Sequence, residues 1–96
     1  MRPLCDAIKR RSIIQFDYRG ARRTVEPYLH GYNKTGIEVL RAYQIGGASK
    51  TGHRFCWKLF HVDKIEQLNL VKITFSLRKD YRVIDRAITR VHCQVD

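Results

Sequence analysis

The sequence predicts a mainly β fold: a small antiparallel barrel with an N-terminal helix and a C-terminal helical extension. Three observations support this prediction. Apolar and polar residues alternate with period two in several short segments, glycine-containing turns separate those segments, and 96 residues suffice for a single domain. Five or so short strands joined by tight turns are typical of small barrels. By analogy with such folds, a binding function is expected before a catalytic one.

The first expected element is a short helix over residues 4–10. Leu4, Ala7 and Ile8 recur there at helical spacing, and the basic residues that follow have the sign that favours a helix C-terminus. The period-two pattern predicts strands over residues 13–18, 22–29, 37–45, 55–62 and 65–73.

Turn-forming residues separate these strands at positions 19–20 and 31–36. Residues 46–52 are rich in glycine and polar side chains, so we expect a mobile loop that closes over the ligand-binding face. Pro27 lies within the second strand pattern and lacks an N–H donor. It is therefore expected at a sheet edge, a bulge or a strand end.

The C-terminal segment has a helical pattern. Ile84, Ala87, Ile88 and Val91 recur with a period near 3.6, which favours a helix over residues 81–91. The chain is accordingly divided into a barrel domain with its leading helix over residues 1–75 and a helical extension over residues 76–96.

The charge balance is strongly basic. Nineteen Lys and Arg residues oppose nine Asp and Glu residues, for a formal net charge of +10. Half of this excess lies in the first 23 residues. A polyanionic or phosphorylated partner is the preferred interpretation, because Coulomb attraction raises both affinity and encounter rate. The alternative is that the cations keep a small domain in solution. Arg78 and Lys79 are interpreted as general basic surface.

Membrane and secretory classes have no support in the sequence. No run of about 20 apolar residues is present, as a transmembrane helix would require. Asp6 and Lys9 interrupt the apolar stretch that a secretory signal would need near the N-terminus. A cytoplasmic location is therefore expected.

The three cysteines, Cys5, Cys56 and Cys93, are odd in number and widely spaced. They form a poor disulfide framework, and each is expected to pack as a small, partly buried apolar residue. Pairs such as His53 with Cys56 and His92 with Cys93 lack the C-x-x-C spacing that is typical of structural zinc sites. No metal or cofactor is expected.

Catalytic motifs are also missing. The carboxylates are scattered, and no serine lies in a G-x-S-x-G sequence. Residues 46–52 contain Lys-Thr, but the phosphate-loop spacing G-x-x-x-x-G-K-[ST] is not met. The sequence therefore favours a non-enzymatic protein.

Several segments together resemble one family. Ala7-Ile8 followed by Ile14-x-Phe16-x-Tyr18-x-Gly20, the R-x-V-x-P pattern of residues 23–27, and residues 58–65 (KLFHVDKI) occur in this order. They resemble the opening helix and strands of the WYL domain, a small Sm/SH3-like barrel common in bacterial transcription regulators. Residues 38–43 (EVLRAY) stand in the place of that family's W-Y-L-x-A-Y strand. The resemblance covers residues 4–70 and extends to short stand-alone WYL-like proteins.

The chain departs from the family pattern at the expected pocket. Glu38-Val39 replaces the Trp-Tyr pair, and Lys58 and His61 stand where the family usually has arginine. The implied pocket stays cationic but is less suited to bidentate clamping of phosphate, because lysine is a point charge and histidine is mostly neutral at pH 7. No helix-turn-helix segment is evident, so the resemblance implies a sensory or binding half, or a protein that acts with another regulator.

Arg41 is the strongest single candidate for a binding residue. A guanidinium in the middle of a strand is costly unless it faces solvent or an anion, so a ligand-facing role is preferred over a structural salt bridge with Glu26 or Glu38. Phosphate is expected to be neutralised by Arg22, Arg23, Arg41 and Lys58, and bases to stack on Tyr43 or Tyr28. A solvated hairpin face is an equal alternative for Arg22 and Arg23, as is packing inside the barrel for the two tyrosines. The candidate ligand- or nucleic-acid-binding residues are Arg22, Arg23, Tyr28, Arg41, Tyr43, Lys58 and His61.

The sequence thus predicts a non-enzymatic regulatory module that binds a nucleotide-like ligand or single-stranded nucleic acid, in bacterial transcription regulation, defence or repair. The alternative is a protein–protein interaction module. In that case the barrel edge, Trp57 and the C-terminal helix would form a homodimer or dock on a partner regulatory protein. Trp57 is interpreted as a core or subunit-contact residue, and His30 as a loop residue without a role.

Overall fold

The computed structural model describes residues 2–47 and 56–96, which form a mainly β fold with one short helix in these ranges. None of the helices in this part of the chain is long and apolar enough to span a membrane. The elements are α1 (Arg2–Arg10), β1 (Ser12–Tyr18), β2 (Ala21–Tyr32), β3 (Glu38–Gly47), β4 (Cys56–His61), a 3₁₀ turn (Val62–Lys64), β5 (Glu66–Thr74) and β6 (Arg90–Gln94).

The strands form one antiparallel sheet around the long strand β2. Its order is β4-β3-β2-β1-β5, and β6 also pairs with β2. β1 pairs with the first part of β2, up to Val25, whereas β6 pairs with the last part, from Leu29 to Tyr32. β1 and β6 therefore follow one another along the same edge of β2, and α1 packs against β2 and β6.

The predicted N-terminal helix and the five predicted strands are confirmed. In β1, Ile14, Phe16 and Tyr18 are buried while the residues between them are half-buried. Leu4 and Ile8 of α1 are fully buried in the same core. The aromatic rings of Phe16, Tyr18 and Phe60 meet edge to face inside it.

Closure of the sheet into a barrel stays a prediction. Over the described residues, no pairing joins the outer strands β4 and β5. Most of the predicted polar loop, residues 48–52, lies outside the described residues, as does Phe55 at the expected start of β4.

The prediction for Pro27 is confirmed. The register between β2 and β3 shifts between Pro27 and Leu29, which leaves Tyr28 as an additional residue of β2. A bulge accommodates the missing N–H of proline and bends the strand. The bend turns Tyr28 into a fully buried position.

The predicted C-terminal helix is wrong. Residues 76–89 contain turns and bends, and β6 follows them. Ile84 is 84% exposed while Ile88 is 5% exposed, although the two would share one face of a helix. The backbone on either side of β6 instead hydrogen-bonds to β2. The N–H of Thr89 donates to Tyr32 O, and the N–H of Val95 donates to Tyr28 O, both at 2.9 Å.

Candidate functional site

A cavity of about 360 Å³ lies where β3 and β4 face the C-terminal segment. Two aromatic rings, three guanidinium groups and two carboxylates surround it. Its lining residues are Arg41, Trp57, Asp80, Tyr81, Arg82, Ile84, Asp85 and Arg86.

The aromatic wall of the cavity is formed by Trp57 of β4 and Tyr81 of the C-terminal segment. Their ring centres are 6.0 Å apart, and the ring planes are inclined by 32°. The Trp57 indole N–H donates to Asp80 Oδ2 at 2.9 Å, and Gln94 Nε2 donates to the Tyr81 hydroxyl at 2.8 Å. Both rings are thus held in place by a polar contact at one edge.

The charged wall of the cavity is organised by Arg41 and Asp85. Arg41 Nε and Nη2 donate to the two carboxylate oxygens of Asp85 at 2.6 and 3.2 Å. Burial alone would raise the pKa of Asp85, but the hydrogen bonds from Arg41 and from the Ala87 N–H lower it below its ordinary value. Arg82 and Arg86 are exposed at the rim and add two further cations.

Tyr28 packs directly behind the aromatic wall. Its ring centre lies 4.7 Å from that of Trp57 and 4.7 Å from that of Tyr81, and its side chain is fully buried. The predicted stacking residue therefore supports the rings that line the cavity and is itself enclosed by them.

Arg78 connects the aromatic side chains around the cavity to the sheet. Its guanidinium donates to both carboxylate oxygens of Glu26, at 2.9 and 3.2 Å, and lies 3.7 Å from the centre of the Tyr43 ring. Its backbone N–H donates to the Tyr28 hydroxyl at 2.9 Å. The interpretation of Arg78 as general basic surface is therefore wrong, because its partly exposed guanidinium is paired with Glu26 and stacked on Tyr43.

Tyr28 and Tyr43 thus share a network of polar contacts. The Tyr28 hydroxyl donates to Glu26 Oε1 at 3.3 Å while it accepts from Arg78. Burial raises the pKa of Tyr28 to about 12. Tyr43 pairs with Trp57 across β3 and β4, with ring centres 5.3 Å apart.

Arg22 and Arg23 lie away from the cavity, at the start of β2. Arg22 is exposed and donates to Asp17 Oδ1 at 3.1 Å and to Gln67 O at 3.0 Å. Arg23 is 4% exposed and donates to Gln44 Oε1 and Tyr18 O, both at 3.3 Å. Burial lowers the pKa of Arg23, and within the described ranges its Nε has no hydrogen-bond partner.

Lys58 and His61 of β4 are half-buried, and neither lines the cavity. Lys58 pairs with Ala42 in the β3–β4 register, and the backbone N–H of His61 donates to the Tyr18 hydroxyl at 3.0 Å. Of the seven predicted site residues, the structure places Arg41 in the cavity, Tyr28 and Tyr43 behind it, and the other four elsewhere.

A second group of chemistry-bearing residues lies near the end of β2, where His30 pairs with Cys93 of β6. Cys5 and Cys93 form a disulfide whose Cα atoms are 5.5 Å apart, so the expectation of separate apolar cysteines is wrong for this pair. His30 and His92 join them, and one ligand atom from each of the four residues lies within 4.8 Å of the others. We refer to Cys5, His30, His92 and Cys93 as the Cys/His cluster.

His30 is therefore not a loop residue. It lies on β2, is fully buried, and its Nε2 is 2.5 Å from Glu38 Oε2. Burial lowers the pKa of His30, an effect that the hydrogen bond to Glu38 opposes. The same hydrogen bond keeps the pKa of Glu38 below its ordinary value although burial alone would raise it.

Comparisons of the chain with protein-family models, curated proteins and solved structures find no match.

Sequence reasoning missed most of the cavity. Trp57, interpreted from the sequence as a core or subunit-contact residue, packs against the core and also lines the cavity. Tyr81, Arg82 and Arg86 lie in the segment for which the sequence predicts a helix. A signal for the latter three residues was present, because residues 80–86 (DYRVIDR) combine one aromatic residue, two arginines and two aspartates. Their convergence on Trp57 depends on the path of this segment across the sheet, which periodicity does not specify.

Proposed function

We propose that this chain is a non-enzymatic, WYL-type binding module whose cavity takes a nucleotide-like ligand. The observation that carries this proposal is the placement of Trp57 and Tyr81 in one wall of a cavity that also holds Arg41, with Arg82 and Arg86 beside it. Aromatic side chains provide stacking surfaces for a base, and guanidinium groups recognise phosphate.

The size of the cavity favours a single nucleotide unit. Small-molecule sites enclose about 300–1,000 Å³, and this cavity lies near the lower limit. The ligand is therefore a free mononucleotide or a single unit of a single-stranded nucleic acid. Both present the same chemistry to the site, a base next to a phosphate.

Phosphate recognition is assigned to the rim of the cavity. Arg41 Nε and Nη2 both donate to Asp85, so the carboxylate neutralises the charge of Arg41. Arg82 and Arg86 are exposed beside this pair. The net charge of +10 attracts an anion from a distance, whereas these two side chains provide the local contacts.

The expected role is regulatory, and it rests on the resemblance to WYL domains. Six of the eight lining residues belong to the segment that leads into β6: Asp80, Tyr81, Arg82, Ile84, Asp85 and Arg86. A ligand in the cavity would therefore stabilise this segment against the sheet. In this proposal, the stabilised segment communicates ligand occupancy to a partner regulator in bacterial transcription, defence or repair.

The binding experiment uses Trp57, the single tryptophan of the chain, as its probe. Nucleoside monophosphates and short single-stranded oligonucleotides are titrated while Trp57 fluorescence is recorded at several salt concentrations. We expect a fluorescence change and an affinity that falls as salt rises. Similar affinities for both probes indicate a mononucleotide site, whereas much tighter oligonucleotide binding indicates a nucleic-acid strand.

Arginine variants test the assignment of the rim. Arg86→Ala should weaken binding by about 10–100-fold, because a charge-assisted hydrogen bond is lost. Lys64→Ala, which removes an exposed cation of the 3₁₀ turn, is the matched control and should bind as the parent protein does. Equal affinities of the two variants, or an affinity independent of salt, would contradict the proposal.

Two exposed apolar residues, Val83 beside the cavity and Ile84 in its lining, favour a second candidate function, a protein docking surface. Val83 is 67% exposed and Ile84 is 84% exposed. Light scattering over a range of concentrations tests this function with Val83→Asp as the variant. Docking is favoured over ligand binding if the parent protein forms a homodimer that Val83→Asp dissociates and if nucleotides leave the Trp57 fluorescence unchanged.

A further inference from the structure

The Cys/His cluster brings together side chains from three separate elements. Cys5 lies on α1, His30 on the central strand β2, and His92 and Cys93 on β6. Their ligand atoms all lie within 4.8 Å of one another, and Cys5 Sγ is 3.9 Å from His30 Nδ1. Two sulfurs and two imidazole nitrogens are the donor set of many structural zinc sites.

A bulge in β6 places His92 on the same side as Cys93. Neighbouring residues in a regular strand point to opposite faces of the sheet, so only one of the two would face the cluster. In the pairing with β2, however, Cys93 lies opposite His30 and Val91 lies opposite Gly31. His92 is therefore the additional residue of a bulge, a feature that redirects a side chain.

His30 is oriented by a carboxylate. Its Nε2 is 2.5 Å from Glu38 Oε2, so the neutral ring donates a proton there and turns an unprotonated Nδ1 toward Cys5 Sγ. Histidines that ligate metals commonly donate their second N–H to a carboxylate, which fixes the tautomer and the ring orientation. This hydrogen bond is a second observation that points to a metal, independent of the clustering of the four ligands.

We propose that the Cys/His cluster, in its reduced state, binds one Zn²⁺ through Cys5 Sγ, Cys93 Sγ, His30 Nδ1 and one ring nitrogen of His92. Two thiols lose their protons, four bonds form to the metal, and no electrons are transferred. A tetrahedral S₂N₂ set favours zinc among the common divalent metals. With metal–ligand bonds of about 2.0–2.3 Å, the ligand atoms of such a site are separated by about 3.3–3.8 Å. Cys5 Sγ and His30 Nδ1, at 3.9 Å, are already close to these separations, whereas the two sulfurs, which are bonded to each other in the disulfide, must move apart on reduction.

The disulfide and the metal site are alternative states of the same two cysteines. In an oxidising compartment the sulfurs pair with each other, as in the structure. In a reducing compartment a cellular thiol such as glutathione supplies two electrons and two protons, which break the S–S bond and leave two thiols. The two imidazoles beside these thiols then complete a zinc site. A disulfide alone requires neither histidine, nor the hydrogen bond between His30 and Glu38.

Zinc at this position would link α1 and β6, the first and last elements described, to β2. Cys5 and Cys93 are 88 residues apart in sequence, and β6 pairs with just four residues of β2. Because binding to the folded state alone adds to stability, removal of the metal should release β6 and the cavity-lining segment before it.

The test measures metal binding by the reduced full-length protein under anaerobic conditions. We expect one zinc per chain by elemental analysis. With Co²⁺ as the probe, we expect the intense visible bands of tetrahedral cobalt together with thiolate-to-cobalt charge-transfer bands. Weak octahedral bands, or less than a tenth of a metal ion per chain in protein whose three cysteines titrate as thiols, would overturn the proposal.

Two variants separate a zinc site from a structural disulfide. His92→Ala changes an exposed residue, so the fold should persist, and zinc affinity should fall by at least about 100-fold. Glu38→Gln should lower the affinity by about 10–100-fold, because the carboxylate that orients His30 is lost. Cys56→Ser, at the cysteine outside the cluster, is the matched control and should retain the metal. Unchanged zinc affinity of His92→Ala would contradict the proposed ligand set.

Discussion

Arg41 and Asp85, which are 44 residues apart in sequence, form a two-point ion pair between β3 and the C-terminal segment. Both side chains are largely buried, with exposures of 23% and 13%. Asp85 also accepts the N–H of Ala87 at 3.0 Å, which shapes the turn before β6. The pair therefore holds the cavity together and determines the path of the segment that lines it.

Asp85→Asn should lower the free energy of unfolding by about 1–3 kcal/mol at neutral pH, because charge-assisted hydrogen bonds from a buried guanidinium are weakened. The pKa of Asp85 is lower in the folded state than in the unfolded chain. Its contribution is therefore complete above the ordinary carboxyl pKa and is lost as the pH falls through the folded-state value. Urea unfolding at a series of pH values measures this effect.

The pH dependence of the effect of Asp85→Asn on the free energy of unfolding provides an internal control. The difference in stability between the parent protein and Asp85→Asn should be constant near neutrality and should shrink below about pH 4. A difference that is unchanged down to acid-induced unfolding would mean that the carboxylate charge does not stabilise this turn.

Tyr28 should make the stability of the protein depend on pH in the alkaline range. Its folded-state pKa of about 12 exceeds the value of about 10 for an unfolded chain, so the folded state keeps a proton that the unfolded state loses. Stability from this group is complete below the unfolded value and falls by about 1.4 kcal/mol per pH unit between these two values. Unfolding measured between about pH 9 and pH 11.5 should show this loss.

Tyr28→Phe removes the ionisable group and serves as the comparison. At neutral pH it should be less stable by about 1–3 kcal/mol, because the Arg78 N–H loses its acceptor and Glu26 loses one of its donors. Its disadvantage relative to the parent protein should narrow as the pH rises above 10. If the difference in stability between the parent protein and Tyr28→Phe widens with pH instead, Tyr28 ionises readily in the folded state.

Arg78→Lys should destabilise the protein even though the charge is retained. Lysine cannot donate to both oxygens of Glu26 while it lies flat on the Tyr43 ring, as the planar guanidinium does. Because the Arg78 side chain is 37% exposed, solvent screening limits the expected loss to about 1 kcal/mol. Thermal unfolding of Arg78→Lys beside Lys79→Arg, an exposed neighbour that should be neutral, measures the effect.

The strands and the helix α1 were predictable because their patterns are local. Ile14, Phe16 and Tyr18 alternate with polar residues, and the burial of β1 follows this alternation. Pro27 marked a bulge for an equally local reason, since it lacks an N–H donor.

The C-terminal segment was mispredicted because a non-local interaction overrides its helical pattern. Ile84 and Ile88 have helical spacing, yet β6 gains more by pairing with the part of β2 that lies beyond the end of β1. The ion pair of Arg41 with Asp85 depends on the same path, as does the proximity of Cys5 to Cys93. No spacing rule along the chain relates residues that far apart.

The contact between β2 and β6 also makes Gly31 a sensitive position. A Cβ atom at Gly31 would lie 2.3 Å from Arg90 O and 2.7 Å from Ile88 Cγ2, so Gly31→Ala requires the backbone of β6 to move away. We expect a loss of about 1–3 kcal/mol from overpacking, together with faster amide exchange in β6. Gly46→Ala is the matched control, because its Cβ would meet Thr24 at an ordinary 3.4 Å. If both variants unfold at the same denaturant concentration as the parent protein, β6 does not pack against β2 as closely as described.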